Sequence, residues 1–211
     1  SSFDGDAIPV ERVVDTLVGA IVKRIARGSG HGVAVIAEGI VERMSADALA
    51  ALEGVARDAY GHVRLADVPI GILLRDAVRR RLSELGLDVT VLTKDIGYEL
   101  RCAKPVAFDV DYTRTLGYGA VRYLLGGGSG ALVALSGGRV VPLHLQELLD
   151  PATGRIRTRN VDVTTEAYAV ARSYMIRLEP ADFEGAQLQA LAAQTTLGPE
   201  QFAAAFRTSV R

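Results

Sequence analysis

Tyr98 and Arg101 are the two residues of this chain best suited to chemistry. They stand three positions apart beside Gly97, inside KDIGYELRCAKPVAFDVDYTRTLG, residues 94–117. A phenol hydroxyl and a guanidinium both donate hydrogen bonds, and the planar guanidinium fork matches the oxygens of a phosphate or a carboxylate. An anionic ligand is what such a pair would take. A salt bridge inside a loop accounts for the same arginine equally well. Lys94 adds another cation nearby, although a solvated loop lysine has the same sequence signature. Glu99 repels an anion and reads as a structural partner. Glu38 is a separate candidate, near the end of GVAVIAEGI, residues 32–40. An ionised carboxylate accepts several hydrogen bonds and suits sugar hydroxyls. A glutamate near a helix start is the plainer explanation of it.

The elements that position these residues follow from period and punctuation. Pro9 opens a helix whose apolar residues Val14, Leu17, Val18, Ile21 and Ile25 recur at helical spacing until Gly28. Gly32 to Ala37 is a short continuous apolar run, the pattern of a strand buried on both faces. Ser45 caps a helix carrying Leu49, Leu52 and Val55, and Pro69 starts another that ends at Gly86. Leu87 to Leu92 reads as the next strand, with Tyr98 and Arg101 just past its carboxyl end, where ligands bind in open α/β sheets. Asp109 caps a helix running through Leu125. Ala131–Leu135 and Arg139–Leu143 form a hairpin joined through Gly137-Gly138. Residues 150–163 are polar and turn-rich, and Thr165 to Ile176 is helical. After Pro180 two short amphipathic helices follow. Helices alternating with short apolar strands predict βαβ units and a mainly parallel sheet.

The run Gly97-Tyr98-Glu99-Leu100-Arg101-Cys102, followed by Pro105, Phe108 and Asp109, resembles the sugar-phosphate loop of the 6-phosphofructokinase family. It is most similar to the longer, pyrophosphate-type branch. GVAVIAEGI resembles the family strand that ends in a substrate-binding glutamate. TTEAYAVARSYMIRLEPADFE, residues 164–184, resembles the family's closing helix. The resemblance covers most of residues 10–184 and corresponds to the carboxyl-terminal half of such an enzyme.

That resemblance implies a three-layer α/β, Rossmann-like domain over residues 1–179 with a helical tail over 180–211. It implies that Glu38 contacts the sugar of fructose 6-phosphate. Tyr98, Glu99, Leu100 and Arg101 would form the loop at its 6-phosphate. The shorter, ATP-using branch has a histidine where Tyr98 stands. It also has an arginine, reaching a neighbouring subunit's phosphate pocket, five residues before Gly97. Here that position is Leu92, and Lys94 is the candidate replacement. The donor would be pyrophosphate, or ATP in a second reading; a third makes the chain a catalytically inactive regulatory module. Mg²⁺ and the catalytic aspartate would belong to the amino-terminal half, so no catalytic residue is assigned here. No Gly-Gly-Asp or Lys-Thr-Ile-Asp run occurs in the chain. The chain alone is expected to be inactive, and the whole enzyme to be a homo-oligomer.

Composition excludes several other classes. The 211 residues are 49% hydrophobic with a net charge of −1, so no electrostatic footprint for nucleic acid or an anionic membrane exists. One cysteine rules out an internal disulfide framework and suits a reducing compartment. A cytoplasmic location is expected, with no membrane or nucleic-acid partner. Ser1 in place of Met suits a processed, clipped or cloned fragment. Gly126, Gly127, Gly128 and Gly130 follow a helix and precede a strand. A phosphate cradle needs the opposite order, so they read as a helix stop and turn. His31, His62 and His144 lack metal-ligand spacing, and Cys102 reads as a packed small residue.

Overall fold

The computed structural model describes residues 8–44, 69–152, 154, 156 and 161–210, with the side chains of Glu38 and Glu42 outside that description. The helix expected after Ser45 and His62 lie outside it, as does part of 150–163. The chain divides into two compact units, Ser1–Asp95 with Val163–Arg211, and Ile96–Asp162.

The first unit is helical. Helix α1, Val10–Ala26, buries Val14, Val18 and Val22 along one stripe. Helix α2, Ile70–Glu84, buries Leu73, Leu74, Val78 and Leu82. The terminal helices, α6 over Gly185–Ala192 and α7 over Pro199–Phe206, add Leu191, Phe202 and Phe206 to the same core. Phe202 and Phe206 are fully buried, with ring centroids 4.7 Å apart. Burying an aromatic side chain is worth roughly 1.5–3 kcal/mol, so these residues hold the carboxyl-terminal segment on α1 and α2. Arg81 of α2 ties three helices together. It bonds Asp15 of α1 at 3.2 Å, bonds Glu84 of its own helix at 3.1 Å, and lies over the Phe206 ring of α7. Residues 163–165 lead into α5, Glu166–Tyr174, whose N-cap Thr165 accepts a bond from the Tyr168 N–H.

In the second unit α4, Ala107–Leu125, packs on a hairpin of β1, Ala131–Ser136, and β2, Arg139–His144. The strands are antiparallel, with Ser136 opposite Arg139. Gly137 and Gly138 both have positive φ, 55° and 74°, as a two-residue type I′ turn requires. Helix and hairpin approach closely at Gly119, where a Cβ would sit 2.6 Å from a Val140 methyl.

The mixture of helix and strand agrees with an α/β class, and the hairpin stands where the sequence put it, but the strands expected at 32–37 and 87–92 are not assigned. Among the described residues the one sheet is the antiparallel hairpin. Residues 31–37 and 87–96 carry no strand assignment. In the latter, Leu87, Val89 and Val91 lean on the core while Asp88, Thr90 and Leu92 are exposed. Val33 and Val35 are 93% and 88% exposed. An apolar run reports a tendency to be buried; ladder pairing needs a partner strand, which the run itself does not supply.

Candidate functional site

Tyr98 and Arg101 form the first and last residues of a single helical turn, α3, Tyr98–Arg101. The sequence placed them in a loop at a strand end. The turn places them on one face, because residues three apart on a helix are neighbours. Arg101 N–H donates to the Gly97 carbonyl at 3.2 Å and Cys102 N–H to the Tyr98 carbonyl at 2.8 Å. Gly97 N–H donates to Glu99 Oε2 at 3.4 Å, so Glu99 closes the start of the turn.

The Arg101 guanidinium carbon lies 5.8 Å from the Tyr98 ring centroid. That contact is worth about 0.5–1 kcal/mol at an exposed site, and it orients the guanidinium. Tyr98 is 78% exposed, and Arg101 is exposed beside it. Together they present a phenol hydroxyl and a planar cation to solvent, as an anion-gripping turn would. Leu100 is 70% exposed. Cys102, expected to be packed, is exposed and free.

The residues after the turn fix the start of the next helix. Asp109 stands at the third position of α4 and its carboxylate accepts the Val106 N–H at 3.0 Å. The Phe108 ring stacks on Tyr112, centroids 5.6 Å apart. Phe108 and Asp109 of the sequence motif thus secure the start of α4, directly after α3.

Glu38 and Lys94 belong to the other unit. Glu38 begins a 3₁₀ turn over Glu38–Arg43, preceded by Ala37 in extended conformation. Lys94 is exposed, between Thr93 and Asp95. Both of those neighbours reach the first turn of α2, where a Cβ on Gly71 would sit 2.6 Å from Thr93 Oγ1 and 3.5 Å from Asp95 Oδ1. Sequence reading missed this seat. The isolated Gly71 one residue into a helix was its only signal, and the partner lies more than twenty residues away.

Similarity to known proteins extends over almost all of these elements. Over 208 residues the chain is 46% identical to the pyrophosphate–fructose 6-phosphate 1-phosphotransferase of Naegleria fowleri, a match covering 97% of this chain and 48% of that protein. Over 184 residues it is 49% identical to the protein of the same name from Thermotoga maritima, covering 85% of this chain and 44% of that one. The chain belongs to the 6-phosphofructokinase family. It spans about half the length of the curated relatives it matches. The ATP-dependent 6-phosphofructokinase of Amycolatopsis methanolica is 35% identical over 116 residues, 54% of this chain and 25% of that enzyme. No protein-family profile matches the chain. The resemblance in the phosphofructokinase loop at residues 97–109 is thus part of a similarity that runs through α1 and α2 as well. Among the described residues no helix is long and apolar enough to cross a membrane.

Proposed function

We propose that this chain is the carboxyl-terminal, sugar-phosphate-binding half of a pyrophosphate-dependent 6-phosphofructokinase. The whole enzyme would move a phosphoryl group from pyrophosphate to the 1-hydroxyl of fructose 6-phosphate, giving fructose 1,6-bisphosphate. The observation that carries this reading is identity of 46–49% to two pyrophosphate-type enzymes over most of the chain. The exposed Tyr98–Arg101 turn supports it, because it offers a donor pair suited to the 6-phosphate.

Phosphoryl transfer is mostly positioning and electrostatic stabilisation. In this reading the chain's share is positioning. Arg101 and Tyr98 hold the 6-phosphate, Glu99 and Leu100 shape the turn that carries them, and Lys94 adds positive charge. Glu38 accepts hydrogen bonds from the sugar. The 6-phosphate takes no part in the bond exchange, so its grip serves to orient the 1-hydroxyl toward the donor.

The family's Mg²⁺ would neutralise charge on the transferring phosphoryl group. Among the described residues no three His, Cys, Asp or Glu side chains gather as a metal site. These residues do not fit the ion, which this reading assigns to the remainder of the longer protein. The same reading expects a three-layer, mainly parallel sheet over residues 1–179, a cytoplasmic location and a homo-oligomer. An ATP donor is the second reading, supported by the Amycolatopsis match. Assaying the longer protein with each donor separately decides between them: turnover with pyrophosphate and little with ATP is expected, and turnover with ATP alone would refute the pyrophosphate assignment.

A further inference from the structure

The first turn of α2 has neither a capping side chain, its N-cap being Pro69, nor an acid of its own. Helix N-termini favour negative charge, because the first backbone N–H groups point outward without helical partners. Asp95 brings a carboxylate there from a distant part of the sequence. Its Oδ1 lies 3.5 Å from the position a Gly71 Cβ would occupy. Thr93 is closer still, its Oγ1 2.6 Å from that position. Real Cβ atoms do not approach a neighbour within 3.0 Å, so Gly71 is the residue that lets this segment lie against the helix.

Thr93 and Asp95 reach the same glycine, while Lys94 contributes none of the three atoms nearest to it. Lys94, between these two seated residues, is exposed. We infer that Gly71 is a positioning residue: it seats Thr93 and Asp95 on the α2 N-terminus so that Lys94 is presented to the phosphate of the sugar-phosphate substrate. This rests on the reading of Lys94 given above and adds the device that orients it. A Cβ at position 71 displaces Thr93, which is β-branched and stiff about χ1, and with it the backbone that carries Lys94.

The test uses the longer enzyme, with the KM for fructose 6-phosphate, the KM for the phosphoryl donor, kcat and thermal stability measured for each variant. Lys94→Ala should raise the KM for fructose 6-phosphate about two- to fivefold, the scale of an exposed charge contact, with the donor KM unchanged. Gly71→Ala should raise it nearly as much. Gly71→Ala combined with Lys94→Ala should be no worse than Lys94→Ala alone. Thr93→Ala should rescue Gly71→Ala, because the nearest remaining atom is then Asp95 Oδ1 at 3.5 Å, an ordinary contact. Asp95→Ala removes the second seat without adding bulk and should also raise that KM, which decides the matter if Gly71→Ala does not fold. A Lys94→Ala effect that neither Gly71→Ala nor Asp95→Ala reproduces would overturn the positioning role and leave Lys94 in the site. Failure of Thr93→Ala to rescue a folded Gly71→Ala would overturn it too. An unchanged KM in Lys94→Ala would remove Lys94 from the site and the role of Gly71 with it.

Discussion

Lys23 and Asp182, 159 residues apart in the chain, meet at 2.5 Å with both side chains only 8% exposed. The pair is well satisfied. Lys23 Nζ also donates to the Arg177 carbonyl at 2.8 Å, and the same Asp182 oxygen accepts the Glu179 N–H at 2.7 Å. It fastens the turn Pro180–Phe183 to α1, immediately before the two terminal helices.

Removing one member should therefore cost far more than removing both. Asp182→Leu leaves a buried ammonium without its counter-charge, and should destabilise the chain by about 3–5 kcal/mol. Lys23→Met with Asp182→Leu should recover much of that loss, since a buried pair contributes little net stability relative to apolar replacements. Denaturant unfolding of the 211-residue chain measures both. Equal losses in the single and double variants would mean that the pair is not coupled.

Asp15 gives a pH dependence with a defined sign. Burial pushes its pKa above the ordinary 3.8, against the pull of Arg81. The folded state therefore holds the Asp15 proton more tightly than the unfolded state does. The stability this provides is fully present below pH 3.8 and is lost as pH rises through the folded-state pKa. Asp15→Asn removes that titration. The melting temperature of the parent minus that of Asp15→Asn should thus be larger at acid pH than at neutral pH. A difference that instead grows toward neutral pH would mean that Arg81, not burial, governs this carboxylate.

Glu38→Ala in the longer enzyme should lower both turnover and affinity for fructose 6-phosphate. A hydrogen bond to a charged group is worth about 1.5–3 kcal/mol, and holding the sugar also orients its 1-hydroxyl. Steady-state kinetics on a folded variant check this; unchanged constants would reduce Glu38 to the first residue of a surface turn.

The 211-residue chain by itself should not phosphorylate fructose 6-phosphate. It carries no Gly-Gly-Asp or Lys-Thr-Ile-Asp run. A coupled assay on the purified chain tests this, and turnover above background would place catalytic groups within it.

What was legible in the sequence was local. Helix α1 shows in the spacing of Val14, Val18 and Ile25, and the hairpin shows in Gly137-Gly138 flanked by apolar runs. Both patterns are set by residues within a few positions of each other. The motif at 97–109 named Tyr98 and Arg101 but not the helical turn that aligns them, because four residues carry too little periodicity to identify a helix. The apolar runs at 32–37 and 87–92 promised strands; a ladder depends on a second segment that periodicity does not name. Lys23 with Asp182, and Gly71 with Thr93 and Asp95, were invisible for the same reason. Each joins positions that only the folded chain brings together.

The proposed grip of Arg101 on the sugar phosphate is the point on which the proposed function depends most. The decisive measurement is the KM for fructose 6-phosphate of Arg101→Ala and Arg101→Lys in the longer enzyme, with the pyrophosphate KM and thermal stability measured alongside. Loss of a charge-assisted phosphate contact should raise the KM for fructose 6-phosphate by about ten- to a hundredfold in Arg101→Ala. The pyrophosphate KM should stay within about twofold, and Arg101→Lys should recover only part of the loss, since lysine keeps the charge without the fork. A folded Arg101→Ala that binds fructose 6-phosphate as tightly as the parent would contradict the account.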